Sequence, residues 1–253
     1  MRAILLAAGY GTRMHPLTKK EPKALLSVKE KPLIEYILEK IDPIDEINEI
    51  FVVTNNKFYE QFVKWRKRLE YRVPPHIIND NTNDNQERLG SLGDLRFVLE
   101  KEQIKDDILL IHADNFFSFD LNALHSFFKE KNSVVVASYD CGDLTIAKGK
   151  TCLKIDENNK VVLFKEKDQQ PSSTLCATGI FFVPHSKIGT IKDYLAEGHS
   201  PDRTGDFMEW LYKREDIYSY VYKGETDFCY DVGSFQTYML VNGLQKNSLT
   251  KGK

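Results

Sequence analysis

The chain has 253 residues, 42% of them hydrophobic and 28% charged, with a formal net charge of −2. That balance suits one large globular unit with a real core, excludes disorder over most of the length, and demotes a bulk nucleic-acid binder, which would be far more basic. No apolar run nears the roughly 18–20 residues of a membrane span, and no signal-peptide pattern follows the apolar start. The four cysteines form no CxxC pair, so a reducing cytoplasm is the expected setting rather than a disulfide framework or zinc knuckle.

In chain order, Arg2–Ala8 is an apolar run of strand length. Leu33, Ile34, Ile37, Leu38 and Ile41 then recur at helical spacing. Ile50–Thr54 reads as a buried strand, Phe58, Phe62, Trp65 and Leu69 as a helical stripe, and His76–Asn79 as a short strand. Leu92, Leu95, Val98 and Leu99 predict a helix, Ile108–His112 a strand, Leu121, Leu124, Phe127 and Phe128 a helix, and Ser133–Tyr139 a strand. Such alternation predicts a parallel sheet covered on both faces. After Tyr139 short strands dominate: Cys152–Ile155, Val161–Glu166, Leu175–Val183 and Ile217–Val221. A turn at Glu157–Asn159 separates two of them, and helices around Ile188–Leu195 and Phe207–Lys213 interrupt the series. The expected organisation is a single α/β domain over residues 1–245, with halves meeting near residue 140 and a polar tail at 246–253.

The most informative segment is Leu6–Lys23, LAAGYGTRMHPLTKKEPK. A strand running into Gly9 and Gly11 at the carboxyl edge of an open sheet can bring backbone N–H groups close to phosphate oxygens. Arg13 and Lys23 add two cations suited to a polyphosphate. Gly-x-Gly alone is equally what a plain glycine turn looks like. It is neither the GxGxxG dinucleotide fingerprint nor a Walker loop. Asp114, just past the Ile108–His112 strand, and Asp231, in Asp-Val-Gly-Ser, are candidate ligands for a nucleotide-bound magnesium ion, which uses one or two carboxylates. For Asp114 the plain alternative is a helix cap, and for Asp231 a solvated loop acid.

Together, LAAGYGTRM followed by PKALLSV resembles the sugar-1-phosphate nucleotidyltransferases, the NDP-sugar pyrophosphorylases. The resemblance implies a Rossmann-like, glycosyltransferase A type α/β fold: a mixed, mainly parallel central sheet flanked by helices, with a small antiparallel sugar-side subdomain. It implies that the loop of Leu6, Ala7, Ala8, Gly9, Gly11 and Thr12 wraps the triphosphate. It gives Arg13 the leaving pyrophosphate, Lys23 the reacting phosphates, and Asp114 and Asp231 the Mg2+ cofactor. Leu89–Gly93 resembles the family's base-side segment, with Gly90 allowing close approach of the base and Ser91 capping the next helix. Glu166-Lys167 resembles the pair that holds sugar hydroxyls and the sugar phosphate. Thr178-Gly179 resembles a pocket-lining segment, and Arg203 a sugar-phosphate arginine. The sequence departs from the family pattern at Ala113, where a glycine is usual, at Asp168 in place of a proline, and around Lys148–Thr151.

The implied reaction passes a nucleotidyl group from an NTP, with dTTP or UTP favoured and CTP possible, to a sugar 1-phosphate. The alternatives are a cytidylyltransferase for phosphocholine and a non-catalytic nucleotide or sugar sensor. A metal-dependent glycosyltransferase would usually show a D-x-D pair, and Ala113-Asp114-Asn115-Phe116 has one acid only. A choline site would want an aromatic cage, for which Tyr222, Phe228 and Tyr230 lie near Asp231. Because the chain ends soon after Asp231, a monomer or weak homodimer is expected, with no nucleic-acid partner and no membrane span.

Overall fold

A computed structural model describes residues 1–224 and 226–243 of the chain. The expected polar tail at 246–253 and the last residues of the expected domain, 244–245, lie outside them. The strands are β1 (Arg2–Leu6), β2 (Ser27–Val28), β3 (Lys31–Pro32), β4 (Glu49–Thr54), β5 (His76–Asn79), β6 (Ile108–His112), β7 (Asn115–Phe117), β8 (Val134–Asp140), β9 (Cys152–Ile155), β10 (Val161–Lys165), β11 (Leu175–Val183), β12 (Ile217–Tyr222) and β13 (Cys229–Asp231). The helices are α1 (Leu33–Ile41), α2 (Tyr59–Arg66), α3 (Ser91–Lys101), α4 (Leu121–Lys131), α5 (Leu144–Ala147), α6 (His185–Ile188), α7 (Thr190–Ala196), α8 (Thr204–Leu211) and α9 (Phe235–Val241).

The main sheet runs β10-β9-β11-β6-β1-β4-β5, with β8 paired to β11 and β12 to β8. Strand β1 lies parallel to β4 and β6, and β4 parallel to β5. Side chains alternate across β1: Ala3 and Leu5 enter one core, with Ile34, Ile37 and Ile41 of α1, while Ile4 and Leu6 enter the other, with Leu92, Leu95 and Val98 of α3. Both faces are therefore buried, which is why the strand reads as an unbroken apolar run instead of an alternating one. Residues Ile34, Ile37, Leu38 and Ile41 of α1 are completely buried, as their spacing predicts.

The sheet is a mixed, mainly parallel Rossmann-like one, with one departure from simple alternation. Strand β8 does not extend the parallel run beside β6. Strand β11, from the second half of the chain, enters between them, antiparallel to both. The helix expected around Ile188–Leu195 is two, α6 and α7, meeting at Gly189. Strands β7 and β13, too short to show any periodicity, pair antiparallel beside the main sheet.

The register that positions the site is simple. Leu6 of β1 pairs with Val53 of β4 and with His112 of β6. The carboxyl ends of three central strands therefore stop at one level, and the glycine loop and the Asp114 segment leave the sheet side by side.

Candidate active site

The loop after β1 is held from beneath. Asn55, wholly buried, donates from Nδ2 to the Ala8 carbonyl at 2.8 Å, and the Ala7 N–H continues the ladder to Val53. Gly11 has φ +61, and a Cβ there would meet Thr18 at 3.0 Å, while the Thr18 hydroxyl donates to the Gly11 carbonyl at 2.6 Å. That position needs glycine for its backbone as well as for the space. Gly9 differs: a Cβ there would meet nothing within 4 Å, so its missing side chain leaves open space in the cleft. Leu6, Ala7, Ala8 and Gly9 line a first cavity, together with Lys23, Gly90, Ser91, His112, Ala113 and Asp114.

Lys23 Nζ donates to Asp114 Oδ2 at 2.5 Å. Burial alone would lower the lysine pKa, but the charges of Asp114 and Asp231 outweigh it and hold the ammonium above its ordinary range. Burial would raise Asp114, but Lys23 and His112 pull it down to about 2. Asp231 behaves in the opposite way. Desolvation in the cleft and the charge of Asp114 push it up to about 6, against Lys23 and Arg13. The two acids are 117 positions apart in sequence, yet Asp231 pairs with Asn115 across β13–β7, and the Val232 N–H donates to the Asp114 carbonyl at 2.9 Å. The helix-cap alternative does not describe Asp114, since β7, a strand, follows it, and Asp231 ends a strand rather than lying in a loop, with its side chain exposed toward the cleft. Ala113 is buried and donates its N–H to the Leu6 carbonyl at 3.0 Å with no positive φ, so the expected glycine is not needed there.

Gly90 and Ser91 line the cleft, but for a different local reason from the expected one. Gly90 has φ +82, and a Cβ there would lie 2.4 Å from Asp202 Cα and 2.6 Å from the Pro201 carbonyl. What crowds it is the protein's own 201–202 backbone. Ser91 is not a cap. Gly90 occupies the N-cap position, and the Ser91 hydroxyl accepts from the Thr204 N–H at 2.8 Å. The first N–H groups of α3 go to the carbonyls of Pro201 and Asp202. The polar run after β5 is anchored at its start: the Asp80 N–H reaches the Thr54 carbonyl, and the Thr82 hydroxyl meets the Tyr10 hydroxyl at 3.1 Å.

A second cavity adjoins the first and shares Ser91, His112 and Asp114 with it. Arg13, Asp231, Glu166, Lys167, Thr178, Gly179 and Arg203 all line it. Glu166 accepts from the Thr151 hydroxyl, and its own N–H donates to Glu209 at 2.9 Å. Burial raises its carboxyl pKa. The Thr178 hydroxyl is spent on the Ala137 carbonyl at 3.0 Å, so Thr178 shapes the wall. Gly179, at φ +75, lets His112 and Asn115 pass close to the strand. Among the described residues Arg203 makes only long ion-pair contacts, 3.9 Å to Asp202 and 3.8 Å to Asp206, and it lines the cavity. Thr12, on the exposed side of the loop turn, lines neither cavity.

Several lining residues escape sequence reasoning. Lys150 faces the second cavity with Nζ 3.2 Å from the Tyr139 hydroxyl, in a stretch that departs from the family pattern. Gly205 leaves room for Glu166, whose Oε2 would lie 2.0 Å from a Cβ there. His112 meets the Thr204 hydroxyl at 2.8 Å, and burial lowers its pKa against the charge of Asp114. Tyr222, Phe228 and Tyr230 form no cage in the cleft. Tyr222 stacks on Phe119, and Phe228 packs between Phe116 and Tyr230. Among the described residues no group of three or more His, Cys, Asp or Glu side chains converges as a metal cage, and no helix is long and apolar enough to cross a membrane.

A family model described as nucleotidyl transferase matches residues 2–247. A UTP–glucose-1-phosphate uridylyltransferase of Synechocystis sp. is 25% identical over 220 residues, covering 83% of this chain and 55% of the relative. A bifunctional sugar-1-phosphate nucleotidylyltransferase/acetyltransferase of Sulfurisphaera tokodaii is 28% identical over 196 residues, covering 78% and 44%. The chain thus spans about half the length of these curated relatives. Among solved structures, the CTP:phosphocholine cytidylyltransferase of Streptococcus pneumoniae superposes with a TM-score of 0.75 at 26% identity, over 97% of this chain and 99% of that one.

Proposed function

The chain belongs to the nucleotidyl transferase family, and from that premise we propose that it passes a nucleotidyl group from a nucleoside triphosphate to a sugar 1-phosphate, with an NDP-sugar and pyrophosphate as products. The observation that carries the reading is the Lys23–Asp114–Asp231 cluster, seated between a glycine loop on one side and Glu166, Lys167, Lys150 and Arg203 on the other. A phosphate oxygen of the acceptor attacks the α-phosphorus in line, the bond to the bridging oxygen of the β-phosphate breaks, and pyrophosphate departs. No covalent enzyme intermediate is needed, so positioning and charge neutralisation carry the rate. Lys23 neutralises the reacting phosphates and Arg13 the leaving group. Glu166 accepts from sugar hydroxyls, and Lys167 and Lys150 hold the sugar phosphate.

Asp114 and Asp231 fit a divalent cation. The charge of Asp114 raises the cost of charging Asp231, which a cation would relieve, and a nucleotide-bound magnesium ion needs only one or two carboxylates from the protein. When bound, magnesium supplies positive charge at the reacting and leaving phosphates. A cytoplasmic monomer or weak homodimer using dTTP or UTP, with CTP next, completes the reading. The presence of Arg13, Lys23, Asp114 and Asp231 in one cleft argues against a silent sensor.

A second reading, phosphocholine as acceptor, is favoured by the full-length likeness to the phosphocholine cytidylyltransferase. Against it stands the second cavity, whose aromatic lining is Tyr139 and Phe181 amid several charges, a poor cage for a quaternary ammonium. Pyrophosphate release from four triphosphates, each paired with hexose 1-phosphates and with phosphocholine, tests both. Turnover with a hexose 1-phosphate supports the first reading. Turnover with phosphocholine alone replaces it with the second.

A further inference from the structure

Two acids at the first cavity have no part in the reaction as described. Asp80, just after β5, and Asp94, in the first turn of α3, both line that cavity, and both are about 95% buried (relative exposures 5% and 6%). They lie within hydrogen-bonding reach of each other. Asp80 Oδ1 is engaged by the Thr82 N–H at 2.7 Å and the Thr82 hydroxyl at 2.9 Å. Asp94 Oδ1 is enclosed with no hydrogen-bond partner among the described residues. Asp94 does not cap α3 either, since the opening N–H groups of that helix are taken by Pro201 and Asp202 carbonyls.

A buried carboxyl pair without a cation is costly unless it holds a proton and its remaining oxygens find donors. Burial does raise both groups, Asp94 to about 8, consistent with one proton held between the facing oxygens. The oxygens left over are acceptors. Their charge makes this end of the cavity repel a triphosphate and suit the uncharged end of a nucleotide.

We propose that Asp94, positioned by Asp80, is a specificity-determining residue that accepts a hydrogen bond from an imino N–H of the nucleobase. The inference rests on the nucleotidyltransferase reading and deepens it. An acceptor meets the N3–H of uracil or thymine, or the N1–H of guanine, favourably. The same acceptor meets the bare N3 of cytosine or N1 of adenine lone pair to lone pair. A site built on such a bond rejects the mismatched partner strongly, because its buried acceptor is left unpaired.

The test measures nucleotide binding by calorimetry without acceptor, and kcat/KM with it, for UTP, CTP, GTP and ATP. Wild-type enzyme is expected to favour UTP over CTP, and GTP over ATP, by about 10-fold or more. Asp94→Leu, which is close in size and removes the acceptor, is expected to shrink both ratios to within about threefold, while leaving the acceptor KM within about twofold. Thr82→Val, which loosens Asp80 without touching Asp94, should shrink them partly. Wild-type ratios near one, or ratios unchanged in a folded Asp94→Leu enzyme, overturn the inference. If Asp94→Leu fails to fold, unchanged ratios in Thr82→Val overturn it. Binding of no triphosphate at all by the wild-type protein instead overturns the reading on which it rests.

Discussion

Lys23 Nζ lies 2.5 Å from Asp114 Oδ2, a bond between a loop residue and the end of a central strand 91 positions away. The ammonium lowers Asp114 to about 2, while desolvation and the charge of Asp114 raise Asp231 to about 6 against the pull of Lys23. The two acids of the site therefore charge at different pH.

Replacing Lys23 with Met should lower kcat on the order of 100-fold, the effect of removing one preorganised cation at developing charge. The triphosphate Kd should change much less, and the circular dichroism spectrum not at all. A variant with unaltered turnover would falsify the role given to this lysine.

Asp231→Asn removes the charge that Asp114 opposes. The variant should keep or slightly raise its Tm without metal, because like-charge repulsion is relieved. Added magnesium should raise the Tm of the wild-type protein and not that of the variant, since ligand binding stabilises only a state that binds it. Thermal scans with and without magnesium read both effects. An equal magnesium shift in the two proteins would remove Asp231 from the metal site.

The Asp80–Asp94 pair predicts a pH dependence of stability. Asp94 in the folded protein titrates near 8, whereas an unfolded aspartate titrates near 3.9. The unfolded chain therefore binds fewer protons between those values, and stability falls as pH rises. The contribution is fully present below about pH 4 and lost as pH rises through about 8. Urea unfolding at pH 5 and pH 8 should show the decline, and Asp94→Asn should flatten it. A wild-type profile already flat over this window would contradict the shared proton.

Gly90→Ala should destabilise the protein by about 2 kcal/mol or more, because it combines a positive φ with backbone contacts of 2.4 and 2.6 Å. The strain falls on residues 201–202, immediately before Arg203. The acceptor KM should therefore rise along with the loss of Tm. A rise in nucleotide KM alone would show that Gly90 serves the base instead.

On the acceptor side, Lys167→Ala and Lys150→Ala should each raise the acceptor KM about 10-fold and leave the nucleotide KM nearly unchanged, as loss of one charge-assisted contact implies. Equal effects on both constants would place these lysines on the triphosphate.

The sequence by itself determined the elements whose signal is local. The apolar run of β1, the spacing of Leu33 to Ile41 and the Ile108–His112 strand each bury the residues that their patterns select. The glycine loop, Lys23, Asp114 and Asp231 were legible as candidates because motif and position coincide there. Tertiary structure alone decided the rest. That β11 enters between β6 and β8 depends on which edges remain open once the parallel strands have paired, and sequence order carries no such information. Ser91 reads as a helix cap until the 201–204 segment arrives to occupy it. Asp94 reads as one more polar residue in a helix, and only its burial against Asp80 gives it chemistry. Lys150 lies in a stretch without a motif and becomes a cavity residue through contact with Tyr139. Each of these depends on contacts between residues distant in sequence. Burial and charge coupling are properties of the space that such contacts enclose, so no local pattern encodes them.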